Sequence, residues 1–221
     1  ADLSGRQAAA VASAPLPSAP ARLMKTQEGA VVAENGPAEP RPAFDPRALY
    51  QRAAPAVAFI LCSAEDGNGE IGTGSLIDAQ GRVLTNSHVV VRDSTGRPWP
   101  TVRLYFKPKR MTGDPKRDLV APVEGKVTAW DAALDLALIQ IVPPEGRVPL
   151  ALGDPEAVEV GERVAAIGHP EQGGLWTLTT GVISTLTADL GGVKGKDAFQ
   201  TDTSINRGNS GGPLLDGAGR I

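Results

Sequence analysis

Short apolar runs and turn residues alternate along the chain from about residue 55 onward. The apolar runs are rich in Val, Ile, Leu and Thr, and clusters of Gly, Pro, Asp and Asn separate them. Such short runs between turn residues are typical of antiparallel strands, whereas helices need longer stretches with a helical spacing of apolar residues. The pattern predicts an all-β fold with strands at residues 56–62, 72–77, 82–85, 101–107, 120–130, 134–141, 163–168, 175–184, 198–201 and 213–215.

The first 47 residues lack this pattern. The first 48 residues contain seven prolines and thirteen alanines, and no aromatic residue precedes Phe44. A segment with so little apolar surface does not offset the entropy lost on ordering, so we interpret 1–47 as a disordered tail or linker. Pro143 and Pro144 cannot continue a strand ladder and predict a boundary between an N-terminal barrel, 48–142, and a C-terminal barrel, 143–221.

Composition limits the classes of partner. The 221 residues carry a formal net charge of -3, which disfavours nucleic acid or an anionic membrane as the main partner. No apolar run in the sequence reaches the roughly 20 residues that span a bilayer, so no membrane tether is visible. The single cysteine, Cys62, excludes an internal disulfide; we predict a buried core residue, with a catalytic thiol as the remote alternative.

One segment departs from the overall acidic balance. Between residues 103 and 117 there are six basic residues and one acid, Asp114. We interpret this segment as a solvated loop between strands. A docking surface for an acidic partner is the alternative.

A serine surrounded by glycines is the first candidate for chemistry. The motif is "RGNSGGPLLD", with Ser210 between Gly208 and Gly211. Glycines allow a strained, exposed turn in which the N–H groups of Gly208 and Ser210 could point at one oxygen; the oxyanion site is assigned to residues 208–210, which include Asn209. A plain turn without chemistry is the alternative for this motif taken alone. The nucleophile elbow of α/β-hydrolases is excluded because no histidine follows Ser210.

A serine nucleophile needs a base and a group that orients the base. Of the two histidines, His88 follows a predicted strand, and His169 lies in the turn "GHP", where we expect a structural role. Asp135 opens the apolar run "DLALIQI", where a carboxylate needs a strong partner such as an imidazole N–H. An ordinary turn aspartate is the alternative. The order His88, Asp135, Ser210 is that of chymotrypsin.

Five blocks in this order carry a family resemblance: "GTGSLIDAQGRVLTNSHVV", "DAALDLALIQI", "VGERVAAIGHP", "LTTGVIS" and "TDTSINRGNSGGPLLD". They resemble trypsin-like serine proteases of the HtrA (DegP/DegS/Deg) type. The resemblance implies two antiparallel six-stranded β-barrels of the chymotrypsin-like kind, with His88 and Asp135 in the first and Ser210 in the second. The second barrel is expected to be incomplete at the C-terminus, because the family continues into further strands.

The resemblance also implies a reaction and its partners. It implies a serine endopeptidase that hydrolyses peptide bonds of unfolded or exported polypeptides through an acyl-enzyme, with no metal or organic cofactor. Ser204, six residues before the nucleophile, would form the floor of the substrate pocket; a neutral floor favours small or medium apolar residues before the cut. Homo-oligomers, often trimers, and a periplasmic or secreted location after removal of a signal peptide are further expectations. A non-catalytic binding or chaperone-like protein on the same scaffold is the alternative.

Overall fold

The structure, a computed structural model, describes residues 43–221. The predicted tail 1–47 therefore lies outside the described residues, except for residues 43–47. The strands are β1 Val57–Ser63, β2 Gly69–Leu76, β3 Arg82–Thr85, β4 Val91–Arg92, β5 Arg97–Pro98, β6 Thr101–Phe106, β7 Val123–Glu124, β8 Lys126–Asp131, β9 Leu136–Gln140, β10 Arg163–Gly168, β11 Thr177–Thr187, β12 Ala198–Thr201 and β13 Leu214–Leu215. The helices are α1 Pro46–Ala53, α2 Ser87–Val90 and α3 Pro115–Asp118, with 3₁₀ turns at Ala54–Ala56, Pro155–Ala157 and Leu190–Gly192.

The all-β prediction is confirmed. The predicted strands at 82–85, 163–168 and 198–201 have the observed bounds, and the others are displaced at their ends. The predicted strand 120–130 is instead two strands, β7 and β8, separated by Gly125. A Cβ at position 125 would lie 2.5 Å from Ile139 Cγ2 and 2.6 Å from Leu104 Cδ1, so any larger residue at this corner would have to displace these core side chains.

This corner closes the first sheet. The strand order is β7-β6-β1-β2-β3-β9-β8, and all its neighbouring pairs are antiparallel. Because β7 and β8 follow each other in the chain across Gly125, the two edges of the sheet are one bent strand. The sheet therefore curls into a barrel whose interior holds the fully buried side chains of Ile60, Val83, Leu104 and Ile139.

The second sheet has four strands within residues 43–221. Its order is β12-β11-β10-β13, again with antiparallel pairs. One face borders a cavity of about 370 Å³ whose apolar lining includes Val164, Ile183, Phe199 and Leu214. The sheet carries β13 immediately after the loop of Ser210, and so its pairing with β10 fixes the C-terminal end of that loop.

Helix α1 was not predicted, and the boundary placed after residue 47 falls inside it. The Asp45 carboxylate accepts hydrogen bonds from the N–H groups of Arg47 and Ala48, and Pro46 occupies the first helical position. Leu49 and Ala53, one turn apart, are buried in the core. An eight-residue helix offers too few turns for a periodicity to stand out from the Ala/Pro-rich sequence before it.

The basic segment forms the connection from β6 to β7. Its shape depends on Asp118, a buried residue whose carboxylate accepts hydrogen bonds from Thr112 N–H, Thr112 Oγ1 and Gly113 N–H. Lys109 and Arg110 are exposed. The prediction of a solvated loop therefore agrees with the exposure of most of its charges, whereas the two ends of the segment lie in β6 and in α3 rather than in a loop.

A further prediction concerns burial. Cys62 is fully buried in β1, and burial raises the pKa of its thiol to about 12. A thiol with so high a pKa is protonated at neutral pH and unreactive, which agrees with the predicted core role.

Among residues 43–221 no helix combines the length and the apolar character that crossing a bilayer requires.

Candidate active site

His88 lies on the short helix α2, directly after β3. Its neighbours Ser87, Val89 and Val90 are buried and anchor the turn, whereas the His88 side chain is 45% exposed. Thr85, the last residue of β3, donates its hydroxyl to the carbonyl of Thr73 on β2. The strand end is therefore fixed, and the ring of His88 projects from a rigid support into solvent.

Asp135 meets His88 through several hydrogen bonds. Its Oδ2 lies 2.8 Å from His88 Nδ1 and its Oδ1 lies 3.0 Å from the same atom. Oδ1 also accepts the backbone N–H of His88 at 3.0 Å and the hydroxyl of Ser87 at 3.2 Å. These bonds place the proton of the neutral imidazole on Nδ1 and leave Nε2 as the free acceptor.

The backbone of Asp135 is held as firmly as its side chain. Its φ is +59°, a left-handed conformation that aspartate adopts more readily than most residues. Asn86 donates its side-chain N–H to the Asp135 carbonyl at 2.7 Å. Asn86, Ser87 and His88 thus all bind Asp135. These bonds fix the position of the Asp135 carboxylate relative to the His88 ring.

The ionisation of Asp135 follows from these contacts. Partial burial alone would raise the pKa of its carboxyl. The hydrogen bonds from the His88 backbone, the His88 ring and Ser87, together with the charge of His88, outweigh burial and lower that pKa below its usual range. Asp135 is therefore ionised at neutral pH and can stabilise a protonated His88.

Ser210 lies in a tight loop between β12 and β13. The Ser210 carbonyl accepts the N–H of Thr73 at 2.8 Å, which attaches the loop to β2. Gly211 has φ +81°, and a Cβ there would lie 2.1 Å from Thr85 Oγ1. Only a glycine permits this close approach, and it brings the Ser210 loop against the residues just before His88.

The hydroxyl of Ser210 has no hydrogen-bond partner within residues 43–221, and none joins it to His88. It borders a cavity of about 260 Å³ that Asn86, two residues before His88, also lines. The structure thus brings His88 and Asp135 into direct contact and places the Ser210 loop beside the turn that carries His88. Hydrogen bonds between nucleophile and base are often long in ligand-free enzymes and shorten when substrate binds.

Two backbone amides of the loop are available to an anion. In the described part of the chain, neither the N–H of Gly208 nor that of Ser210 donates to another residue. The Asn209 N–H, by contrast, donates to the Asn206 carbonyl at 3.0 Å, and its place among the oxyanion donors stays a prediction. Gly208, with φ +92°, and Ser210 can provide paired N–H groups for a developing oxyanion.

Known proteins share this arrangement of strands and motifs. A trypsin-like peptidase domain matches residues 72–221, which is more than half of the chain. The chain belongs to the trypsin-like peptidase family. Two relatives identify the branch. Protease Do-like 5, chloroplastic, of Arabidopsis thaliana is 35% identical over 193 residues. A probable periplasmic serine endoprotease DegP-like of Brucella suis biovar 1 (strain 1330) is 34% identical over 152 residues.

These matches cover unequal shares of the two partners. The Arabidopsis match covers 77% of this chain and 56% of the relative, and the Brucella match covers 68% and 26%. The chain therefore spans about half or less of the length of these curated relatives. The relatives' names place one in the chloroplast and the other in the periplasm.

Solved structures of the trypsin-like peptidase family share the fold. The HtrA-type protease AlgW with tripeptide has a TM-score of 0.64 and 28% identity, over 80% of this chain and 52% of that one. The crystal structure of Deg5 has a TM-score of 0.61 and 32% identity, over 79% and 80%. This trypsin-like peptidase is accordingly of the HtrA/Deg type, as its motifs indicate.

In this trypsin-like peptidase Ser204 is exposed, and its carbonyl accepts the Thr179 hydroxyl at 3.1 Å. Ser204 does not line the cavity beside Ser210. That cavity is bordered by neutral residues alone: Asn86, Ala166, Ile167, Ile205, Asn209, Ser210, Gly211, Gly212, Pro213 and Leu214. A buried lysine or arginine of a substrate would find no carboxylate among them.

Sequence reasoning missed three residues that support the site, Asn86, Ser87 and Thr73, and it gave His169 a structural role without its partner. Asn86 and Ser87 bind Asp135, and Thr73 and His169 bind each other beneath the Ser210 loop at 2.9 Å. Asn86 and Ser87 directly precede His88, and this adjacency was a usable signal. Thr73 and His169 are 96 residues apart, and no local pattern links them.

Proposed function

We propose that the chain is a serine endopeptidase in which His88, Asp135 and Ser210 form the catalytic triad. The observation that carries the proposal is the multiple hydrogen bonding between Asp135 and His88, since it orients the ring and leaves Nε2 as the nitrogen that can accept a serine proton. A surface histidine with no catalytic role has no need of a carboxylate held by three neighbouring residues.

The reaction follows from these positions. Ser210 Oγ attacks the carbonyl carbon of the substrate while its proton passes to His88 Nε2, and the ionised Asp135 stabilises the imidazolium. The oxyanion that forms accepts hydrogen bonds from the N–H groups of Gly208 and Ser210. His88 then gives the proton to the leaving amine, the C–N bond breaks, and an acyl-enzyme remains. Water attacks the acyl-enzyme by the same route and regenerates Ser210.

The substrates are polypeptides, and unfolded or exported proteins are the proposed class. The neutral lining of the cavity beside Ser210 supports a preference for small or medium apolar residues before the cut. The role of Ser204 as the pocket floor, the homo-oligomer and the periplasmic or secreted location stay predictions.

Turnover of an unfolded protein tests the proposal. Casein is incubated with the 221-residue chain and with Ser210→Ala, and cleavage sites are mapped by mass spectrometry. Cleavage after small or medium apolar residues, lost in Ser210→Ala, supports both reaction and preference. Cleavage mainly after Lys or Arg would contradict the preference alone.

The alternative is a non-catalytic binding protein on the same scaffold. The absence of a hydrogen bond between Ser210 and His88 in the described residues is the observation that favours it. Casein that binds without being cleaved, equally in the wild type and in Ser210→Ala, would support this alternative.

A further inference from the structure

His169 occupies a closed cage beneath the Ser210 loop. Its side chain is almost fully buried and lies edge-on to two aromatic rings, with ring centroids 5.3 Å from Phe59 and 4.9 Å from Trp176. Trp176 is itself fixed, because its indole N–H donates to the Val57 carbonyl at 2.8 Å. The imidazole therefore has little freedom to turn.

The hydrogen bonds of Thr73 determine where the His169 proton sits. Thr73 Oγ1 lies 2.7 Å from the carbonyl of Gly208 and 2.9 Å from His169 Nδ1. A carbonyl oxygen only accepts, so the single hydroxyl proton of Thr73 is donated to Gly208. Nδ1 of His169 must then be the donor to Thr73. A chain of two hydrogen bonds therefore runs from His169 through Thr73 to the Gly208 carbonyl.

Burial keeps His169 in this neutral form. It lowers the pKa of the ring to about 3, so the imidazole carries one proton at neutral pH. With that proton on Nδ1, Nε2 is an acceptor, and it has no partner among residues 43–221. Within the described residues, the His169 ring thus makes its hydrogen bond through Nδ1, on the side that faces Thr73.

The segment that begins at His169 holds the oxyanion loop at two more points. The N–H of Glu171 donates to the Arg207 carbonyl at 3.0 Å. A Cβ on Gly208 would lie 2.1 Å from the His169 carbonyl oxygen, so the two backbones are in contact. In a planar trans peptide the C=O and N–H groups point in opposite directions. The Arg207 carbonyl, which faces Glu171, and the Gly208 N–H belong to the same peptide. The Gly208 N–H therefore points away from the segment that begins at His169.

We propose that His169 is a positioning residue for the oxyanion site: its Nδ1–H orients the Thr73 hydroxyl onto the Gly208 carbonyl and so holds the loop that presents the Gly208 N–H. The proposal deepens the proposed function and rests on it. His169 does not touch the substrate. Without the Nδ1 proton of His169 the Thr73 hydroxyl loses its fixed direction, and the Gly208 carbonyl is released, so the loop on both sides of it, including the Arg207–Gly208 peptide that carries the Gly208 N–H, can shift.

Paired substitutions test this role in the full chain. His169→Leu removes the donor, whereas His169→Asn removes the ring but keeps an N–H near the position of Nδ1. Thr73→Val and Thr73→Ser form a second pair that removes and keeps the hydroxyl. The readouts are kcat and KM for a peptide substrate and the rate of labelling by a fluorophosphonate, with thermal melting as a check that each variant is folded.

We expect the donor-removing variants to lose about 10- to 100-fold in kcat and in labelling rate, somewhat less than the effect of deleting an oxyanion donor outright, with KM nearly unchanged. His169→Asn and Thr73→Ser should recover most of this loss. Equal kcat in folded His169→Leu and His169→Asn, or a loss confined to KM, would overturn the proposal.

One measurement is independent of activity. The imidazole tautomer of His169 can be assigned from ¹⁵N chemical shifts of the ring in the wild-type chain. We expect the proton on Nδ1; a proton on Nε2 would overturn the positioning role whether or not the chain is active. A wild type that shows the Nδ1 tautomer but no labelling would count against the proposed function and leave the hydrogen-bond chain standing.

Discussion

The two histidines of this chain have opposite environments. The side chain of His88 is 45% exposed, and its Nδ1 faces an ionised carboxylate. His169 is 2% exposed, faces aromatic rings, and meets one hydroxyl. The same side chain is thus presented in one place as a group that can take up and release a proton, and in the other as a fixed neutral donor.

This difference shows that the surroundings determine the role of a histidine. Exposure lets the ring of His88 meet a substrate, and the hydrogen bonds from Asp135 fix its orientation, as a general base requires. An apolar cage keeps His169 neutral, and the hydrogen bond to Thr73 then selects one tautomer, as a positioning residue requires.

The unit of His88 and Asp135 should differ most from His169 in its effect on catalysis. His88→Ala should lower kcat by about 10⁴-fold or more, because the base that accepts the Ser210 proton is lost. Asp135→Asn should cost about as much, because an amide cannot stabilise the imidazolium or hold the same tautomer. Both are measured as peptide hydrolysis. Activity of either variant within tenfold of wild type would contradict the assignment.

Loss of the His169 side chain should lower stability more than loss of the His88 side chain does, the reverse of the order expected for catalysis. His169→Ala removes a buried ring between Phe59 and Trp176 and should lower the free energy of unfolding by about 2–4 kcal/mol. His88→Ala removes a half-exposed ring and should cost much less. Urea unfolding of both variants checks this ranking, and a larger loss for His88→Ala would refute it.

Acid should destabilise the protein partly through His169. In the unfolded chain histidine has a pKa near 6.5, whereas in the folded protein the pKa of His169 is about 3. Between these values the unfolded chain binds the extra proton, so the stability contribution is complete above about pH 6.5 and is lost as pH falls toward 3.

The matched control for this effect is His169→Asn, which has no titrating group at the position. Between pH 7 and pH 5 the wild type should lose about 2 kcal/mol more of unfolding free energy than His169→Asn does. Urea unfolding at both pH values measures the difference. Identical losses in the two proteins would show that His169 titrates normally in the folded state.

Chemical modification gives the smallest but simplest contrast. Diethyl pyrocarbonate acylates accessible neutral imidazoles, and the chain has two histidines. We expect one rapid modification, at His88, and a second, at His169, only in urea. Peptide mapping locates the adducts. Rapid modification of His169 in the folded protein would contradict its burial.

The strand pattern and the chemical motifs could be predicted because they are local. The alternation of short apolar runs and turn residues predicts β3, β10 and β12 with their observed bounds. The motif around Ser210 and the apolar run after Asp135 indicate chemistry without reference to the rest of the chain. The curated and structural relatives then place both in the HtrA/Deg branch.

The supporting contacts could not be predicted because they are distant in sequence. Thr73 binds both Gly208 and His169, and each partner lies at least 96 residues away. The sequence motif "GHP" indicates a turn, and a structural role for His169 is correct as far as it goes. Its direction of hydrogen bonding depends on Thr73, which looks like an ordinary strand residue.

The central claim, an assembled serine nucleophile, is tested most directly by intact-mass analysis after treatment with a fluorophosphonate. The probe needs an activated serine and an oxyanion site but makes little demand on the substrate pocket. We expect one adduct on the wild-type chain, none on Ser210→Ala and a much slower reaction in His88→Ala. A folded wild type that acquires no adduct, or an adduct that persists in Ser210→Ala, would contradict it.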